Sequence, residues 1–170
     1  MTGQQARTAL APWGNALADF RRPRSGQRPF APLTAAERAL VGLELFLAGG
    51  AFVGGGGMLL DPSGKGQGFP PDLLQGTPFG SYLIPGIILL LVNGLVPSMV
   101  VVLTILRRPR AGSAHMVVAL ALAGWLAGET FLIGLASWMQ PFFFAYALVV
   151  AALAVLVRGR PAADRTGARP

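Results

Sequence analysis

At 170 residues, with 53% hydrophobic and only 12% charged residues, the chain falls well short of the roughly 25% charge of ordinary soluble domains. Its net charge of +7 raises nucleic acid as a partner, but the arginines flank apolar runs without interleaved aromatics, so no nucleic-acid partner is expected. The absence of cysteine excludes disulfides, thiolate metal sites and paired-thiol redox chemistry, and a single histidine argues against a histidine-rich metal centre.

Residues 1–33 are rich in Ala, Arg, Gly, Pro and Gln and contain no apolar core of a cleavable signal. A short helix over Leu10–Phe20 would set Trp13 and Phe20 against a membrane surface; the plainer expectation is a disordered basic cytoplasmic tail. The first span then has a clear start. Thr34-Ala-Ala-Glu37 fits a capping box, in which Thr takes an orphan N–H and Glu reaches back to the cap. A helix over about 39–60 would be roughly 33 Å long, enough to cross a hydrocarbon core.

Residues 61–82 make the one substantial loop. Asp61-Pro-Ser-Gly64 has the residues of a type I turn, and Pro70-Pro-Asp-Leu-Leu74 suits a single helical turn. Phe69, Leu73, Leu74, Phe79 and Tyr82 are too apolar for a loop free in water, so this segment is expected to lie on the interface or fold back over the bundle. A second span, about 83–106, holds Asn93, Gly94 and a Pro97 that should kink it. Ser113 is the expected cap of a third span over about 114–136. After a tight, uncharged connection, Pro141 opens the fourth and shortest, about 141–157, and residues 159–170 form a second basic tail.

Thirteen of the 14 basic residues fall in segments that alternate between these spans, and only Lys65 lies on the other side. Because Lys and Arg resist translocation in short loops, the pattern places both termini in the cytoplasm. The fold class is therefore an all-α membrane protein, an antiparallel up-down bundle of four transmembrane helices. Anionic headgroups at the cytoplasmic face are the natural partners of the arginines, each contributing about 1 kcal/mol near the surface. Arg outnumbers Lys thirteen to one, which together with the Ala, Gly and Pro content points to a GC-rich bacterial source and hence a bacterial plasma membrane.

Two acids lie within the spans. Glu44 is about 8 Å from the inner end of its helix and Glu129 about 21 Å from the inner end of its own, so they are not expected to form a carboxylate dyad. Acids at such depth face the bundle interior, as structural hydrogen-bond partners or as a site for a proton or ligand. Around Glu129 the expected companions are Tyr146, Asn93 and Trp125; around Glu44 they are Ser98 and Thr104, with Arg38 and Arg107 in snorkelling range. His115, beside the arginine turn, reads as interfacial. Ala48, Ala51 and Gly55 share the Glu44 face, and Gly50–Gly54 and Gly124–Gly128 form small-residue pairs expected to serve packing within the chain more than a dimer face. Tyr82, Trp138 and Phe142–Phe144 fit an aromatic belt.

The stretches Asp61-Pro-Ser-Gly64, Gly76-Thr-Pro-Phe79 and Tyr82-Leu-Ile-Pro-Gly86, with Trp125, Glu129 and Ser137-Trp-Met-Gln-Pro141, resemble a pattern in small bacterial (actinobacterial-like) four-span membrane proteins. The resemblance spans about residues 40–157 and implies the architecture without an activity. It also draws attention to the loop, where Asp61, Phe69, Phe79 and Tyr82 are expected to form a lid above Glu129.

No nucleophile–base pair, metal set, phosphate loop or cofactor motif is present, so neither an enzyme nor a cofactor is expected. The leading reading is an accessory or structural membrane protein with a membrane-protein partner or a second copy of itself. The alternative is a small proton-coupled carrier or ligand-binding protein that uses Glu129. A lipid-directed enzyme using Asp61 or Asp72 stands third.

Overall fold

The computed structural model describes residues 32–70, 72–108 and 110–159, and the expectations for the two tails lie outside them. Among the described residues the chain is all helical. It forms α1 (Ala35–Leu60), α2 (Leu83–Ile105), α3 (Ala111–Ile133) and α4 (Met139–Arg158), each long and apolar enough to cross a membrane. Side chains such as Phe46, Val53, Leu60, Leu120, Phe131 and Leu148 stand exposed on their outer faces. Helices apolar on every side bury themselves in lipid as well as in each other. This is a four-helix integral membrane protein.

The neighbouring pairs α1–α2, α2–α3, α3–α4 and α4–α1 close a ring, with α1–α2 the most extensive seam and α3–α4 the next. That leaves α1 and α3 across the bundle from each other. The ends of the bundle are named here for their connections: the arginine end, with the Arg107–Arg110 turn, and the loop end, with residues 61–82. Core packing is continuous towards the arginine end, where Leu40, Ala119, Val150 and Val157 form one buried cluster. Leu47, Val100, Val118, Leu122, Leu126 and Ala147 form the next.

Local chemistry sets the helix boundaries. Thr34 and Glu37 form both bonds of the capping box, Glu37 N–H to Thr34 Oγ1 at 3.3 Å and Thr34 N–H to Glu37 Oε2 at 2.8 Å. The same Glu37 oxygen accepts from Arg107 Nη1 at 3.0 Å, tying the start of α1 to the α2–α3 turn. The third helix starts at Ala111, ahead of Ser113, and stops at Ile133, where Gly134 at φ 69° turns the chain into a region favourable only to glycine. The fourth begins at Met139, two residues before Pro141.

α1 and α2 touch backbone to backbone. A Cβ added to Gly55 would sit 2.9 Å from the Gly86 carbonyl oxygen, and one added to Gly86 would meet Met58 Cβ at 2.7 Å. Lipid provides little hydrophobic drive between helices, so close approach at small residues becomes a main source of adhesion. The Gly124–Gly128 pair departs from expectation. Both glycines are exposed, with nothing within 4 Å of an added Cβ, so they pack against none of the described residues.

Pro97 has a more specific effect than a simple kink. Residues Leu90–Leu95 adopt a π-helical turn in which Val96 N–H reaches back to Leu91 O. Proline cannot donate to the carbonyl four residues earlier and its ring crowds that position, and widening the turn relieves the clash. Ser98 Oγ–H then donates to Gly94 O at 2.8 Å, satisfying one of the loosened carbonyls.

Candidate functional site

The loop is organised by one carboxylate. Asp61 accepts from Ser63 N–H at 3.1 Å, Ser63 Oγ–H at 2.6 Å and Gly66 N–H at 2.7 Å, while Gly64 N–H closes the turn on Asp61 O at 3.0 Å. Gly64, at φ 75°, lies against the Tyr82 ring, where an added Cβ would meet it at 2.6 Å. Tyr82 N–H donates to Pro62 O at 2.9 Å and its ring stacks on Phe69 with centroids 4.8 Å apart. The Asp61-Pro-Ser-Gly64 turn thus anchors the loop to the start of α2. Residues 72–77 form successive turns, with Gln75 N–H donating to Asp72 O and Thr77 N–H to Leu74 O.

The Ser63 hydroxyl and then the Gly66 N–H hold the Asp61 carboxyl below the ordinary aspartate range. A group whose folded pKa is depressed contributes order that is complete above its unfolded pKa and is lost as pH falls through the folded one. The Gly66 amide proton shift, followed by NMR on acidification, is therefore expected to hold steady through the ordinary aspartate range and to move only below it. A midpoint at or above that range would contradict the bonded turn.

Beneath the loop the helices diverge and leave two adjoining cavities of about 300 and 380 Å³. Met58, Phe69, Trp125 and Glu129 belong to the walls of both. Phe79 and Tyr82 line the first cavity, below the loop; Asn93, Leu126 and Phe143 line the second, between the helices. Asp61 lines neither and acts through the turn it holds. Glu129 makes no hydrogen bond or ion pair with any described residue. Asn93 is 1% exposed, and neither polar atom of its amide has a partner among the described residues. By contrast, Gln67 Nε2–H donates to Gly54 O at 2.8 Å. Gln140 is engaged at both ends, with Nε2–H donating to Gly134 O at 2.9 Å and Oε1 accepting from Ser137 N–H at 3.1 Å.

Sequence reasoning grouped Tyr146 with Glu129. The structure corrects this: the Tyr146 hydroxyl donates to the Leu43 carbonyl on α1, one residue before Glu44. Depth along the axis is similar for several neighbours, and the side chain's rotation about α4 decides which one it meets.

A second polar group crosses the bundle towards the arginine end. Glu44 Oε1 lies 2.7 Å from His115 Nδ1, and both side chains are fully buried. Thr104 Oγ1–H donates to Val100 O at 2.8 Å and thereby uses its one hydrogen, so at 3.1 Å it accepts from His115 Nε2–H. With Nε2 protonated, Nδ1 and Glu44 share a single proton. Either a carboxyl donates to a neutral ring or an imidazolium donates to a carboxylate, and the pair is net neutral in both arrangements.

His115 is therefore a core residue, contrary to its interfacial reading. α3 starts at Ala111, so His115 lies a full turn inside it, between Glu44 of α1 and Thr104 of α2. Its spacing to Val118, Ala119 and Leu122 was the available signal, since these share one buried stripe. Of the companions expected for Glu44, Thr104 is present through His115. Ser98 bonds its own helix, and Arg107 donates to Glu37 instead.

Taken together, the fold and its cavities define a small four-span membrane protein with a carboxyl unpaired among the described residues at the loop end and a buried proton-sharing pair nearer the arginine end. Comparison with family models, with curated proteins and with solved structures finds no match to this chain.

Proposed function

We propose that the chain is a non-enzymatic ligand-binding protein of a bacterial plasma membrane, with both termini cytoplasmic and its ligand site at the extracytoplasmic loop end. The observation that carries this reading is a carboxyl, Glu129, and a buried amide, Asn93, on the wall of one cavity and both unbonded among the described residues. Polar groups at such depth are costly unless paired, and a ligand supplies the pairing. The arginine distribution supports the orientation. The Glu44–His115 pair is fully buried and satisfied largely within the chain, so it serves the fold.

The lack of cysteine makes single-cysteine labelling unambiguous. With a small, membrane-impermeant thiosulfonate applied to intact cells, Ser63→Cys is expected to react fast, Phe79→Cys at least several-fold more slowly, and Glu129→Cys measurably. An inert Glu129→Cys would mean that no cavity reaches it, and equal rates at Ser63 and Phe79 would remove the lid.

A second reading, an accessory subunit, is favoured by the bare glycines of α3 on the rim of the first cavity. It predicts that Gly128→Cys is protected in native membranes and reactive after purification, because a partner helix covers it.

A further inference from the structure

We propose that the loop-end cavities bind a lipophilic ammonium, an amine on an apolar alkyl or aryl body, with Glu129 as its counter-ion. The inference rests on the ligand-site reading above and adds the chemical class.

Charge decides the class first. Among the described residues lining either cavity there is no Lys, Arg or His, so Glu129 is the sole carboxyl and no cation among them offsets it. An anionic ligand would find no cation to pair with in this low-dielectric setting. Polarity decides next. Apart from Glu129, the hydrogen-bonding side chains without a partner among the described residues are few, the Asn93 amide and the Trp125 indole N–H in the second cavity and the Tyr82 hydroxyl in the first, since Gln67 and Gln140 are committed to backbone groups. A sugar or peptide would lose more hydrogen bonds to water than these walls return. An ammonium asks for little: a carboxylate oxygen, one amide oxygen and aromatic faces. Asn93 Oδ1 has no donor among the described residues, and Trp125 and Phe69 line both cavities with Glu129, offering aromatic faces that favour a cation over a neutral group.

Volume fits as well. Each cavity, at about 300 and 380 Å³, lies at the small end of ligand pockets, which suits an arylalkylamine. Proton balance is closed without a co-reactant. A neutral amine arriving through lipid takes the proton of a protonated Glu129; the O–H bond breaks, the N–H bond forms, and the ion pair is made in place.

Three probes of matched shape test the class: 3-phenylpropan-1-amine, 3-phenylpropanoate and propylbenzene. Each is titrated by calorimetry into the full chain in zwitterionic nanodiscs, with empty discs as the reference. The amine is expected to bind at least tenfold more tightly than either of the other two. Glu129→Gln should abolish that advantage while leaving propylbenzene unchanged, which also shows that the variant is folded. If the amine binds no better than propylbenzene to the unaltered chain, the ammonium assignment is overturned and a plain apolar ligand site stands. If none of the three binds above empty discs, the ligand-site reading itself is overturned.

Discussion

His115→Leu is expected to destabilise the bundle by about 3–5 kcal/mol, because it leaves the fully buried Glu44 carboxyl without its partner. Glu44 Oε1 would lose its 2.7 Å contact, and Oε2 already has no partner among the described residues. The reverse change, Glu44→Leu, should cost less, about 1–3 kcal/mol, because a neutral imidazole keeps its bond to Thr104 and loses only one. The double variant, Glu44→Leu with His115→Leu, should recover much of the loss, since apolar residues of similar volume often replace a buried ion pair at little cost. Reversible unfolding in mixed micelles measures all three. Strict additivity of the two single effects would show that the residues do not interact.

The second large effect concerns two glycines of α1 that sequence alone does not distinguish. Gly55→Ala is expected to cost about 1–3 kcal/mol through overpacking, because the new methyl would lie 2.9 Å from Gly86 O and 2.7 Å from Leu90 Cγ. The first obstacle is backbone and cannot rotate away. Gly50→Ala, with nothing within 4 Å of its added Cβ, should instead gain up to about 1 kcal/mol from helix propensity. The same unfolding assay, run on the pair, checks the sign of each; two changes of equal sign and size would mean that α1 and α2 do not approach at Gly55.

These cases show which parts of the structure were legible beforehand. The spans could be read because each apolar run exceeds the length a bilayer demands, and the starts of α1 and of the loop could be read because Thr34 and Asp61 bond only to residues near them in sequence. Asn93 and Trp125, expected near Glu129 from depth and from helical spacing, line one cavity with it. Pairings that depend on rotation were not legible. Tyr146 turns towards α1 instead of Glu129, and His115 meets an acid on the helix diagonally opposite, where no rule about adjacent helices would place it. The π turn was also hidden, because Pro97 announces a disturbance without specifying how the backbone absorbs it.

That turn has a consequence for the two polar centres. Asn93 lies inside it and Thr104 follows it on the same helix, so the wide turn acts as a phase offset between the cavity wall and the residue that fixes His115. Each residue of an α-helix advances about 100°, so removing or moving the extra residue would turn one of the two side chains away from its station while the other stayed put. The two ends are geared to each other through a single helix, and the gear ratio is set by Pro97.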